Sequence, residues 1–324
     1  MNLSKANIRL MSRLGSCGAY GMAAMDLPEI DPNMVACTAD LCFYSGLDRF
    51  QKKYPENMYN VGIAEQNMVG IAGGLAKEGY NVFASTYASF ATTRALDQVR
   101  VNMGYMQLPI KLIGLTSGYS VGILGATHIS IEDVAIMRSI PNITIVSPAD
   151  CTETYKTIMA LANYNKPVYV RLTGPMNNPI VYGEDYDFTI GKAVTLKEGN
   201  DIAIVACGTM VATSLKVSEM LEQEGVSASV IDMHTIKPLD TEIIDQISDK
   251  KLIVTVEEHS VIGGLGGAIG EYLSEKKVHP PLLRIGTQDA FPHAADYNYL
   301  IEKAGLKPEN IKNNIIKKWR IYHD

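Results

Sequence analysis

Short β-rich runs alternate with longer helical stretches along most of this chain, and that rhythm constrains the fold more than any other feature. Parallel strands need a crossover of a dozen or more residues between them, and helices usually supply it. The strand candidates of the first part are Met34–Cys37, Met58–Val61, Asn81–Ala84, Ile110–Leu115, Ile143–Val146 and Val168–Leu172. Helical patterns are predicted near 64–78, 86–105, 130–139 and 150–163. Two of these have readable starts: Ser130 and Asp133 have capping-box spacing, and Ser147–Pro148 reads as an N-cap with proline at N1. The stretch LTGPMNNPIVYGEDYDF (172–188) then breaks the rhythm with Pro, Asn, Gly and Asp, as a linker would. A second alternation follows: strands at 202–207, 226–232, 251–256 and 282–285, helices at 210–224, 239–249 and 264–276, then terminal helices. The expectation is an α/β protein of two parallel-sheet domains, 1–173 and a smaller 191–324, joined by a linker at 174–190.

Composition removes several classes of function. The 29 basic and 35 acidic residues leave a net charge of −6, against the basic stripe that nucleic acid or an anionic membrane surface requires. The longest apolar stretch, Ile202–Ala212, is far short of the roughly 20 residues that span a bilayer. The opening MNLSKANIRLMSRLG scatters charge among its apolar positions and shows no secretory signal. Five cysteines, with no CxxC pair, fit a reduced, cytoplasmic protein.

The most informative segment is YNVGIAEQNMVGIAGGLAKEGYNVF (59–83). A strand ends at Val61, Gly62 turns the chain, and a helix starts near Ala64. Glu65 therefore sits at the carboxyl end of a strand and at a helix start, where α/β sheets place ligands. A first-turn carboxylate can also simply favour the helix dipole. Gly70, Gly73 and Gly74 each cost the helix about 1 kcal/mol, which close approach of a second helix would offset. Downstream, Tyr87 and Phe90 are spaced to share one helical face, as core residues or as walls of a site.

GIAEQNMVGIAGGLA resembles the cofactor-activating motif in the pyrimidine-binding domain of the transketolase family, and the likeness runs on through the linker and a transketolase C-terminal-like domain. The resemblance implies that Glu65 hydrogen-bonds the N1′ nitrogen of thiamine diphosphate. A carboxyl group shielded from water shares its proton with the aminopyrimidine ring, which activates the thiazolium carbon. It also implies that Tyr87 and Phe90 flank the ring, with Thr93 standing where some members carry a third aromatic. TADL (38–41) resembles a loop near the cofactor, placing Asp40 against the aminopyrimidine side or in a turn cap. LGATHISIED (124–133) resembles the family's G-P-T-H loop with alanine for proline. There His128 would polarise substrate oxygens and shuttle protons, work suited to an imidazole. The preceding TSGYSVGILG is nearly uncharged, whereas members acting on phosphorylated ketoses often have an acidic, histidine-bearing stretch here. Arg171, ending PVYVRL, would grip a substrate phosphate with its guanidinium fork, or be buried beside a carboxylate. Arg94 would reach a substrate phosphate or brace the subunit interface.

Two other motifs carry less. VIGGLGGAIGEYL (261–273) is GxGxxxG rather than a dinucleotide fingerprint. Glu257, Glu258 and His259 lack zinc spacing and read as a solvated strand end. The family holds the diphosphate and its magnesium with a GDG…N motif, and no GDG occurs in this sequence. The resemblance therefore implies the C-terminal subunit of a split transketolase. A partner N-terminal subunit would hold magnesium, the cofactor would be shared at the interface, and two copies of each would form a dimer of heterodimers. Two alternatives stay open: the beta subunit of a 2-oxo acid dehydrogenase decarboxylase, and a catalytically silent partner subunit.

Overall fold

The computed structural model describes residues 1–323, the side chain of His323 excepted. Its strands are β1 (Met34–Thr38), β2 (Met58–Asn60), β3 (Asn81–Tyr87), β4 (Lys111–Ser117), β5 (Thr144–Val146), β6 (Val168–Thr173), β7 (Val194–Lys197), β8 (Ile202–Ala206), β9 (Ala228–Asp232), β10 (Thr235–Lys237), β11 (Leu252–Ser260) and β12 (Leu282–Thr287). They form two sheets, ordered β10-β5-β6-β4-β3-β1-β2 and β12-β11-β8-β9-β7. Within each, every pairing is parallel except one at an edge, β10 against β5 and β7 against β9. Strands such as β1 and β6 are buried along their whole length, because helices cover both faces of a parallel sheet.

On one face of the larger sheet pack helix Lys5–Asp26 and helix Cys151–Ala160, with Ile8, Met11, Tyr20 and Ile158 in the core. On the other lies helix Glu65–Lys77, through Met68, Val69 and Ala72. That second core continues into the C-terminal part, where Val205, Ile231, Met233 and Ile269 join the same cluster. The antiparallel edge strand β10 adds to this continuity. Its residues come from the second alternation, yet Thr235 pairs with Val146 in the first sheet.

Several local expectations are corrected. The helix Lys5–Asp26, N-capped by Ser4, lies in a segment with no predicted element. It is kinked at Gly15, where φ is +78°. Ser130 caps nothing: its helix starts at Asp133, and Asp133 is consumed in an ion pair. Asp150, not Ser147, caps the helix Cys151–Ala160, accepting from the Glu153 N–H. Of the three helix glycines only Gly73 is explained within the chain, since a Cβ there would lie 2.4 Å from Asn102 Oδ1. Nothing approaches Gly70 or Gly74 within 4 Å.

Candidate functional site

The site forms at the carboxyl ends of β1, β2, β3 and β4. After β2 the chain turns at Gly62, whose φ of +76° lies in the left-handed region that favours glycine, and helix Glu65–Lys77 begins. Glu65 is its first residue and is 3% exposed. A carboxylate so buried needs a partner. It has one in Arg94, whose Nη1 donates to Glu65 Oε1 at 2.9 Å. The same guanidinium lies over the Phe90 ring, 3.9 Å from its centroid. Phe90 and Arg94 are the ends of a wide π-type turn, a distortion that is frequent at functional sites. The predicted helix 86–105 is interrupted by this turn and by a second at Arg100–Tyr105, while β3 runs on to Tyr87.

Three half-buried rings close the site. Tyr87 and Phe90 meet edge-to-face at 5.8 Å, and His128 sits at 5.3 Å from Tyr87 and 5.1 Å from Phe90. Burial raises the Tyr87 hydroxyl above its ordinary pKa, with Tyr44 and Cys17 adding to the shift. The His128 Nδ1 lies 2.9 Å from the Thr127 hydroxyl, which orients the imidazole. Asp40 stands at the loop before Glu65 with φ +60°, a conformation that Asp tolerates better than most residues. Its N–H donates to Asn60 Oδ1 and its carboxylate accepts from Asn60 Nδ2. Asn60 also accepts from the Gly62 N–H and so ties Asp40 to the turn that presents Glu65. This linking role of Asn60 lay unread in YNVG.

Glu65, Tyr87, Phe90, Arg94 and His128 are thus brought together, with Asp40 joined to them through Asn60. Arg171 is not part of this group. It is 1% exposed, and its guanidinium is spent: Nε donates to Asp133 Oδ2 at 2.8 Å, and Nη2 donates to the Ser130 and Glu258 carbonyls. The phosphate contact expected of it is corrected to the alternative, burial beside a carboxylate. Within the chain the Arg94 guanidinium lies on Glu65 and Phe90, while its side chain stays 45% exposed. The triplet Glu257, Glu258 and His259 is buried rather than solvated, each at 1% exposure. Glu257 accepts from the Leu265 and Gly266 N–H groups at a helix start, and burial raises its pKa to about 7. Glu258 accepts from the Tyr119 N–H, Thr209 and Tyr297, joining the two parts of the chain.

A cleft of about 860 Å³ opens nearby, between helix Lys5–Asp26, the segment Phe43–Arg49 and Gly174–Met176. Cys17 and Tyr44, the neighbours that act on Tyr87, line it. Among the described residues no group of three or more His, Cys, Asp or Glu could hold a metal ion, and no helix is long and apolar enough to cross a membrane.

A buried carboxyl group beside the flat face of an aromatic ring suits a planar heterocycle with a nitrogen edge to bind, so the residues present fit an aminopyrimidine. Two-domain α/β proteins that bind a cofactor ring at strand ends define the class. Residues 16–177 match the transketolase pyrimidine-binding domain and residues 191–311 the transketolase C-terminal domain. The chain is 40% identical over 303 residues to the putative transketolase C-terminal section of Methanocaldococcus jannaschii, covering 93% of this chain and 95% of that protein. It is 39% identical to the 6-deoxy-6-sulfo-D-fructose transketolase subunit SqwH of Clostridium sp. (strain MSTE9), covering 89% of each. A solved structure described as a split gene transketolase, inactive beta4 tetramer, superposes with a TM-score of 0.84 at 38% identity, covering 93% of this chain and 97% of that one. The chain belongs to the transketolase family and carries its pyrimidine-binding and C-terminal domains.

Proposed function

We propose that this chain is the C-terminal subunit of a two-component, thiamine-diphosphate-dependent transketolase that transfers a two-carbon ketol unit between sugars or sugar phosphates. The observation that carries this reading is Glu65, buried at a helix start and linked through the Arg94 guanidinium to Phe90 of the Tyr87–Phe90–His128 ring cluster. The relatives support it: besides the two named above, a 39% identical protein of Phocaeicola vulgatus is one subunit of an apulose-4-phosphate transketolase. When bound, the cofactor would supply a carbon nucleophile for the transfer. Glu65 offers its carboxyl oxygens to the nitrogen edge of the ring in a buried pocket, where low dielectric strengthens such a hydrogen bond. Phe90 and Tyr87 orient the ring and exclude water from it. His128, fixed by Thr127 and the two rings, offers Nε2 to a substrate oxygen as hydrogen-bond donor or acceptor. Asp40 and Asn60 set the loop that aims Glu65. The cofactor's diphosphate and magnesium are assigned to an N-terminal partner subunit with a GDG…N motif, and the active assembly to a dimer of such heterodimers.

Calorimetry tests this division of labour. Thiamine diphosphate with magnesium should give weak or undetectable heat with the chain alone, and measurable heat once the partner subunit is added. Micromolar or tighter binding by the pure chain would overturn the two-component reading.

A further inference from the structure

Arg94 makes two contacts with one planar group. Its guanidinium edge donates to Glu65 Oε1 at 2.9 Å, and its face covers Phe90 at 3.9 Å. Those are the two demands that an aminopyrimidine would make of the same residues: a nitrogen edge toward the carboxyl group and a flat face against an aromatic ring. Guanidinium meets them well, being planar, weakly hydrated and prone to stack. Its side chain is 45% exposed while that of Glu65 is 4% exposed, so the arginine has a route to solvent and the glutamate does not.

We propose that Arg94 is a place-holding residue: its guanidinium occupies the position of the cofactor's aminopyrimidine ring on Glu65 and Phe90, and it swings outward to yield that position. The inference rests on the reading of the site given above and deepens it. Arg94 is on this view a positioning residue. It gives the buried Glu65 a charge partner while the ring is elsewhere, and keeps the Phe90 face covered. Ring binding must then displace an ion pair. A pair this exposed on one side contributes up to about 1 kcal/mol, equivalent to about fivefold in affinity.

The test uses the full chain and the ring alone, 4-amino-5-hydroxymethyl-2-methylpyrimidine, titrated by saturation-transfer NMR, with folding checked by circular dichroism. Arg94→Ala should bind the ring about fivefold more tightly than the unaltered chain. Arg94→Lys keeps the charge and loses the stacking face, and should fall between the two. Twenty millimolar guanidinium chloride should weaken ring binding to Arg94→Ala and not to the unaltered chain, with sodium chloride as the ionic control. A purely structural arginine would show neither the tighter binding nor the guanidinium competition. Equal or weaker binding by a folded Arg94→Ala chain overturns the proposal and leaves the pyrimidine site standing. Ring binding by none of the three chains overturns the site reading itself, and the proposal with it.

Discussion

Replacing Arg171 by Met measures how far that arginine is committed to the interior. The substitution keeps most of the side-chain volume and removes three donated hydrogen bonds, to Asp133 Oδ2, the Ser130 carbonyl and the Glu258 carbonyl. Asp133, at 0% exposure, would keep only the Tyr169 hydroxyl as a donor to that oxygen. Breaking a buried pair by removing one partner costs about 3–5 kcal/mol. That is at least about a fifth of the roughly 5–15 kcal/mol that holds a typical protein folded. Because the Glu258 carbonyl belongs to β11 and Ser130 to the first part of the chain, the loss should appear in both halves. Urea unfolding followed by circular dichroism and by fluorescence of the only tryptophan, Trp319, which packs on the C-terminal core, should therefore shift together. Adding Asp133→Leu removes the stranded charge and should recover part of the loss, but not all, since the Ser130 and Glu258 carbonyls still lose the guanidinium's donation. An Arg171→Met chain within about 1 kcal/mol of the unaltered one would refute the reasoning and return Arg171 to consideration as a ligand contact.

In the assembled enzyme, Glu65→Gln should slow deuterium exchange at the thiazolium carbon far more than it weakens cofactor binding; an unchanged exchange rate would remove Glu65 from its assigned role. Gly73→Ala should destabilise the chain by about 1–3 kcal/mol, because its Cβ would press on Asn102, whereas Gly74→Ala should stabilise it by up to about 1 kcal/mol; melting temperatures moving the same way would contradict this. The acidic cluster of Asp150, Glu153 and Asp232, hydrogen-bonded by Tyr182 and Tyr186, gives a pH prediction. Burial raises Asp232 from 3.8 to about 7 and Glu153 well above its usual range. The folded state thus holds more protons than the unfolded one between about pH 4 and 7, so stability should fall as pH rises through that window. Asp232→Asn should flatten part of the slope in melts from pH 5 to 8, while Glu153 and Glu257, the latter raised to about 7, keep the remainder.

The parallel-sheet rhythm was legible because strands buried on both faces are written as continuous apolar runs, such as MVAC and IAIVA. Two of the short edge strands were not. β7 and β10 have four and three residues, and their pairings are antiparallel contacts that neither periodicity nor length announces. The helix Lys5–Asp26 was hidden by its own composition: glycines at 15, 18 and 21 interrupt the pattern, and Gly15 leaves helical geometry altogether. Much of what settles this helix is tertiary, namely its packing beside helix Cys151–Ala160 in one core.

The site was legible where residue type and position along a strand suffice. Glu65 after β2 and the loop of His128 fall where the sequence places them; Tyr87 and Phe90 do meet each other and His128, but from the end of β3 and a π-type turn rather than from one helical face. The two arginines show where that reasoning stops. Arg94 and Arg171 have the same side chain, and each lies at or beyond a strand's carboxyl edge. What separates them is the partner: Arg171 meets a fully buried aspartate 38 positions earlier, and Arg94 meets the glutamate 29 positions earlier that the site requires. A guanidinium can bind either a ligand anion or an internal carboxylate with the same fork, so its type leaves the choice open. Burial decides it. An arginine closed from water on all sides cannot reach a diffusing substrate, and a half-exposed one on the edge of a buried carboxylate can still move.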